Sequence, residues 1–163
     1  MKESGHSSDG GDKPIIITRE ELHSHGGTPP GWRFSIPEGD VAGGREAFVK
    51  MECFACHNID GEKFPKKEKD PAKVGPDLSG KGAMHGDRAY FFESLINPNR
   101  VIVKGPGYVK EGNSIMPSYA DSMTLQEAVD LVAYLKSLKG GHKMGGVKKN
   151  ADHGGGMKDM KKH

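Results

Sequence analysis

The feature that most constrains this chain is a pair of cysteines followed at once by a histidine, Cys53-Phe54-Ala55-Cys56-His57. Two thiols at this spacing can add to the two vinyl groups of a haem, and the resulting thioethers hold the porphyrin permanently. The adjacent histidine is then placed to ligate the iron from one side. The motif therefore predicts one covalent haem c, attached through Cys53 and Cys56, with His57 as an iron ligand.

The same cysteine pair has other interpretations. A thioredoxin-like redox pair is expected in a βαβ unit, and the sequence shows no such pattern. A structural zinc site needs four ligands, and there is no second cysteine pair, although His85 can in principle join His57. A disulfide across so short a loop would constrain the unfolded chain little. Composition favours a cofactor, because apolar residues make up 34% of the chain and a buried haem would add apolar surface to a small core.

A second axial ligand is expected if the haem carries electrons, and a thioether raises the potential by favouring ferrous iron. Met116 is the best candidate, because it lies beside Pro117 in a loop without helical periodicity, just before the last predicted helix. Most methionines fill gaps in a core, which suits Met51 and Met84 better. Met123, the nearest rival, lies at a helix start.

A candidate partner for the ligating histidine lies in the segment Val74-Gly75-Pro76-Asp77-Leu78. A histidine bound to a metal normally donates its other ring N–H to a backbone carbonyl or a carboxylate. Pro76 offers a carbonyl, and we expect it to accept this hydrogen bond from His57. Without the haem motif, the same residues are more simply a Gly-Pro turn.

Helical signals lie in the central part of the chain, about residues 40–139. The first predicted helix is capped by Asp40, and the second runs from near Asp87 to near Pro98. The third begins at the capping box Thr124-Leu125-Gln126-Glu127 and continues with apolar residues at helical intervals. No convincing strand pair is present, so the predicted class is all-α.

The segments outside this region have a different character. Residues 14–39 show a short helix signal and then an alternation of large apolar and polar residues, which predicts an extended arm packed on the domain. The large apolar residues are Trp32, Phe34 and Ile36. Residues 1–13 and 140–163 are rich in Gly and polar residues, and we expect both to be disordered.

The last segment, 140–163, also carries imidazole and thioether groups, which suit copper. They belong to His142, Met144, His153, Met157, Met160 and His163. An additional copper-binding role of this tail is therefore an alternative. The neighbouring lysines oppose it, because their positive charge disfavours a bound cation.

Charge and hydropathy limit the partners. The formal net charge is +2, and the near-neutral central region gives no support for a nucleic-acid partner. No apolar run reaches the length of about 18 residues that a membrane span needs. Because haem c is normally attached outside the bacterial cytoplasm, we expect a periplasmic or otherwise exported protein. The first residues do not begin a secretory signal.

Residues 40–139 resemble a class I cytochrome c, a mono-haem domain. The matching parts follow in order: the haem motif, Gly75-Pro76-Asp77-Leu78, Met116-Pro117 and an amphipathic last helix. The resemblance implies a cytochrome c-like orthogonal helix fold around one covalent haem. It also implies iron ligation by His57 and Met116, with the carbonyl of Pro76 on the His57 ring.

The same resemblance implies that the first and last helices cross closely. The crossing uses a glycine and an aromatic residue of the first helix against an aliphatic and an aromatic residue of the last. Gly44 with Phe48, and Leu131 with Tyr134, stand at the matching places. Two departures concern the haem surroundings. Residues 101–113 are inserted before the methionine loop, and Trp32 precedes the haem motif. Because the chain's single tryptophan precedes the haem motif, polar contacts to the haem propionates must come from residues other than a tryptophan. Tyr108, Arg88 and Arg100 are the candidates.

The function implied by the resemblance is transfer of single electrons between redox proteins through an exposed haem edge, without catalysis. The alternative is a haem enzyme or gas-binding sensor with a labile sixth ligand. A peroxidase would need a distal acid–base group, for which His85 and Arg88 are the candidates. The sequence names neither the donor nor the acceptor.

Overall fold

Helices dominate the regular structure of the computed structural model, which describes residues 13–66, 68, 70 and 74–140. The described elements are α1 (Arg19–Ser24), α2 (Val41–Lys50), α3 (Lys81–Met84), α4 (Arg88–Ile96), β1 (Val109–Lys110), β2 (Asn113–Ser114) and α5 (Leu125–Ser137). In this part of the chain no helix is both long and apolar enough to cross a membrane. The predictions for the two ends, including the copper-binding tail, fall on residues 1–12 and 141–163, which lie outside the described residues.

The three predicted helices begin where the sequence indicates, at the predicted caps Asp40 and Thr124 and next to Asp87. The Asp40 carboxylate accepts a hydrogen bond from the Gly43 N–H at 2.6 Å and starts α2. Asp87 caps α4 in the same way, and Thr124 forms the predicted capping box at the start of α5. The side-chain oxygen satisfies an N–H group that has no partner within the helix.

Helices α2 and α5 cross at Gly44, as the resemblance implies. A Cβ atom on Gly44 would overlap the carbonyl oxygen of Asp130 and lie 2.6 Å from the Cβ of Tyr134. Beside the crossing, the rings of Phe48 and Tyr134 meet edge to face with centroids 5.7 Å apart. Phe48 and Leu131 are among the most deeply buried side chains. The crossing forms the centre of the core and one side of the cleft described below.

Helix α3 is fastened to the end of α5 and was not predicted. A Cβ atom on Gly82 would overlap the carbonyl oxygen of Lys136, so the two backbones touch there. The Lys136 ammonium group donates to the carbonyls of His85 at 2.6 Å and of Gly82 at 3.1 Å. These carbonyls lie at the end of α3, where helical partners are missing. The contact holds α3 beside the cleft.

The expectation that no strand pair exists was wrong for a short hairpin. Val109 pairs with Ser114 and Lys110 with Asn113 in an antiparallel ladder. The turn places Glu111 at φ 53° and Gly112 at φ 79°, and two successive residues of positive φ are typical of a tight hairpin turn. All of the hairpin except Ser114 lies in the segment inserted before the methionine loop.

The arm contacts the domain through part of its length. Ile36 is 4% exposed and belongs to the core, whereas Trp32 and Phe34 are 51% and 61% exposed. The Phe34 ring still reaches the edge of Phe92, with centroids 6.5 Å apart. Of the three large apolar residues of the arm, Ile36 is therefore packed in the core and Phe34 touches the domain at its ring edge, whereas about half of Trp32 is exposed. Before this strip, α1 begins at the capping box of Thr18 and Glu21.

Candidate haem-binding site

A cleft of about 370 Å³ opens beside the α2–α5 crossing. The site residues predicted from the sequence all line it, namely Cys53, Cys56, His57, Pro76 and Met116. They come from three separate stretches of the chain. The fold brings these stretches together around one space, with the apolar side chains of α4 and α5 as walls.

The haem motif forms a tight turn directly after α2. Residues Cys53–Ala55 make one 3₁₀ turn, and the Cys53 carbonyl accepts hydrogen bonds from the N–H groups of Cys56 at 3.1 Å and His57 at 2.9 Å. The turn is entered through Glu52, whose φ of 56° lies in the left-handed region. All three functional side chains of the motif, Cys53, Cys56 and His57, thus reach the same cleft.

The environment of Cys53 does not suit a thiol redox site. Cys53 is 7% exposed, and burial raises the pKa of its thiol to about 12. Reactive redox cysteines have lowered pKa values, because the thiolate is the nucleophile. The geometry therefore argues against the thioredoxin-like interpretation and is compatible with a sulfur that forms a buried thioether.

The His57 ring is held by the segment that the sequence indicated. Its Nδ1 lies 2.8 Å from the carbonyl oxygen of Pro76. A carbonyl oxygen can only accept, so Nδ1 carries the hydrogen and the neutral ring keeps its lone pair on Nε2. Burial lowers the pKa of His57, an effect that the hydrogen bond to Pro76 partly opposes. A neutral imidazole with a free Nε2 is the form that binds a metal.

Met116 lies in a loop that follows the hairpin, and its side chain is half-buried against the core. The N–H of Met116 donates to the hydroxyl of Ser114 at 3.2 Å. Pro117 lines the cleft next to it. Of the rival methionines, Met84 also lines the cleft but is 68% exposed, and Met123 does not line it.

The other sequence candidates divide into two groups. Tyr108 and His85 line the cleft, and the His85 ring stacks on Tyr90 with centroids 4.5 Å apart. Arg88 and Arg100 do not line it, and Arg88 pairs with Glu38 at 2.8 Å. Tyr108 is thus the propionate candidate that the fold places at the cleft.

Sequence reasoning missed two groups of cleft residues. One is the α4 wall, formed by Tyr90, Phe91, Ser94 and Leu95. The other is Tyr119, a half-buried phenol whose pKa burial raises to about 12, so that it is a neutral donor. Helical periodicity marks the apolar residues of α4 as buried, but it does not distinguish a cleft wall from an ordinary core face.

The residues fit a haem better than a bare metal ion. Among the described residues no three His, Cys, Asp or Glu side chains come together as a metal cluster, so the zinc interpretation has no support. The cleft instead combines apolar walls, two thiols, a neutral imidazole and a thioether. This combination of donors and walls is the one that a covalently attached haem requires.

The fold and the cleft define a small helical domain suited to hold one haem. The family model for cytochrome c matches residues 41–139. The chain belongs to the cytochrome c family, whose members hold haem c covalently and transfer electrons through its iron. No curated protein matches the chain.

Proposed function

We propose that this protein carries single electrons between redox proteins through one haem c ligated by His57 and Met116 and attached through Cys53 and Cys56. The observation that carries the proposal is the common cleft: residues far apart in sequence, each with a separate role at a haem, line one apolar space. The haem supplies reversible one-electron chemistry at its iron.

The chain's own residues would each perform a defined task. The thioethers of Cys53 and Cys56 would keep the haem in place, and the Nε2 of His57 would ligate the iron. The hydrogen bond to Pro76 fixes the ring orientation and makes the imidazole a stronger ligand. Apolar walls exclude water, which favours the less charged state of the site and so supports a positive potential.

We also propose which part of the chain carries the electron, which partners it meets and where it works. The electron-carrying unit is the domain of residues 40–139, with residues 14–39 as an arm along it. Its partners are redox proteins that approach the open side of the cleft. Because haem c is attached outside the bacterial cytoplasm, the protein would work in the periplasm or another exported location.

The geometry favours a carrier over the alternative of a haem enzyme or gas sensor. A peroxidase needs a distal acid–base group free to act on a ligand at the iron. Arg88, one candidate, is paired with Glu38 at 2.8 Å and does not line the cleft. His85, the other, is stacked on Tyr90. Met116, in contrast, lines the cleft, where its sulfur would ligate the iron and close it to other ligands.

Replacement of Met116 tests the proposal. In Met116→Ala the sulfur–iron charge-transfer band should disappear and the reduced protein should bind carbon monoxide. The potential should fall by on the order of 100 mV, a fraction of the range of about 0.8 V that axial ligands span. Met123→Ala is the matched control, because Met123 packs on the core without lining the cleft, and it should keep the band.

Absorption spectra and a redox titration of both variants decide the matter. Survival of the charge-transfer band in Met116→Ala would show that another residue ligates the iron. Rapid carbon monoxide binding by the unaltered reduced protein would favour the enzyme or sensor.

A further inference from the structure

The end of α4 leaves carbonyl groups without helical partners beside the methionine loop. The last four carbonyls of an α-helix have no donor within the helix. Helix α4 stops at Ile96, because Pro98 has no N–H and disfavours helical backbone at Asn97. The carbonyls of Leu95 and Ile96 must therefore find donors in another part of the chain.

The donors come from the loop that carries Met116. The N–H of Tyr119 donates to the carbonyl of Leu95 at 2.8 Å. The hydroxyl of Ser118 donates to the carbonyl of Ile96, also at 2.8 Å. Both donors follow Met116 closely in sequence, so the chain on one side of the methionine is held to the end of α4.

The other side of the methionine is held to the same place. The Oδ1 atom of Asn99, just beyond α4, accepts a hydrogen bond from the N–H of Ser114 at 2.8 Å. The Ser114 hydroxyl in turn accepts from the N–H of Met116. Pro98, which lies between the two attachment points, is buried and lines the cleft. Met116 is thus bracketed by hydrogen bonds to one short stretch, residues 95–99.

We propose that the C-terminal end of α4 anchors the methionine loop and keeps the Met116 sulfur at the iron, with Ser118 and Asn99 as positioning residues. The proposal rests on the proposed function, because it takes Met116 as the axial ligand. When an anchoring hydrogen bond is lost, the loop leaves the cleft more often. An added ligand then competes more successfully for the iron.

Imidazole binding to the ferric protein measures this competition, since imidazole must displace the sulfur. Ser118→Ala should bind imidazole about fivefold more tightly, the change that corresponds to one hydrogen bond of ordinary net strength. Ser118→Thr keeps a hydroxyl and should restore the native affinity. In a Met116→Ala background, where no sulfur competes, Ser118→Ala should change nothing.

Ser137→Ala is the matched control. It also removes a serine hydroxyl that donates to a backbone carbonyl, that of Tyr134 at 2.6 Å, and Ser137 does not line the cleft. Its imidazole affinity should be native. Asn99→Ala removes the acceptor on the other side of the loop and should act like Ser118→Ala, which keeps the proposal testable if one variant folds poorly.

Two negative outcomes are distinguishable. If Met116→Ala binds imidazole more tightly but Ser118→Ala and Asn99→Ala behave like Ser137→Ala, the α4 anchor is overturned and the axial ligand stands. If Met116→Ala itself leaves the imidazole affinity unchanged, the ligand assignment fails and the anchor fails with it. Haem content and the charge-transfer band, recorded for every variant, identify those that retain the native site.

Discussion

Gly75 shows how closely the chain is fitted around the His57 ring. A Cβ atom at position 75 would lie 2.7 Å from Cε1 and 2.8 Å from Nδ1 of that ring, and 3.1 Å from the carbonyl oxygen of Cys56. Side-chain carbon atoms do not approach other atoms so closely without displacing them. The glycine is therefore required by the close approach of the ring, not by an unusual backbone angle.

Replacement of this glycine should disturb the histidine. We expect Gly75→Ala to push the ring away from the Pro76 carbonyl and to lower the free energy of unfolding by about 1–3 kcal/mol, the usual effect of overpacking. Gly86→Ala is the control, because a Cβ there meets nothing within 4 Å. Denaturant unfolding of both variants checks the prediction, and equal stabilities would contradict it.

At single positions, the sequence predicted which groups form a hydrogen bond better than it predicted which atoms come into close steric contact. Pro76 was expected beside His57 because ligating histidines need an acceptor, and the structure places the two atoms at hydrogen-bond distance. The steric role of Gly75 was not predicted, since it depends on where the ring of a distant residue lies. The same is true of Ser118, whose partner is the exposed end of another helix.

Helix starts were predictable because their signals are local. Asp40, Asp87 and Thr124 each cap a helix through a backbone N–H two or three residues ahead, so one short stretch contains the whole interaction. The hairpin was missed because its strands have two residues each, too short for an alternating pattern. Helix α3 has four residues and is likewise too short to show a repeating apolar pattern.

The close packing of α2 on α5 predicts how the stability changes when a methyl group is added at the crossing. Gly44→Ala should lower the free energy of unfolding by about 2–3 kcal/mol, because the added Cβ would overlap the α5 backbone at Asp130, which cannot move aside. Gly43→Ala is a matched control in the same helix. Its Cβ would meet only the far ends of two side chains, the carboxylates of Asp130 at 3.0 Å and of Asp40 at 3.2 Å.

Gly43→Ala should therefore be near neutral or stabilising, since Ala favours a helix over Gly by about 1 kcal/mol. Thermal or denaturant unfolding of the two variants provides the comparison. A loss in Gly43→Ala as large as that in Gly44→Ala would contradict the prediction that overlap with the α5 backbone determines the cost at Gly44.

Across the whole molecule, the core and the cleft share their walls. Phe48, Phe91, Leu95, Leu131 and Leu135 belong to the buried core and also line the cleft. The low apolar content of the chain is consistent with this arrangement, because a haem in the cleft would complete the core. Sequence composition indicated a cofactor, but the sharing of walls depends on how three helices, α2, α4 and α5, meet.

This sharing predicts that the haem is needed for a stable fold. In a Cys53→Ala, Cys56→Ala double variant the haem cannot be attached, and the apolar walls of the cleft would face water at a cost of about 25 cal/mol per Å². Because a native domain is stable by only about 5–15 kcal/mol, we expect a protein that retains helical far-ultraviolet circular dichroism in part but has lost a cooperative thermal transition. Cys53→Ala alone keeps one attachment point and should lie between the double variant and the native protein. A double variant that unfolds cooperatively at the native midpoint would show that α2, α4 and α5 close the core without the haem.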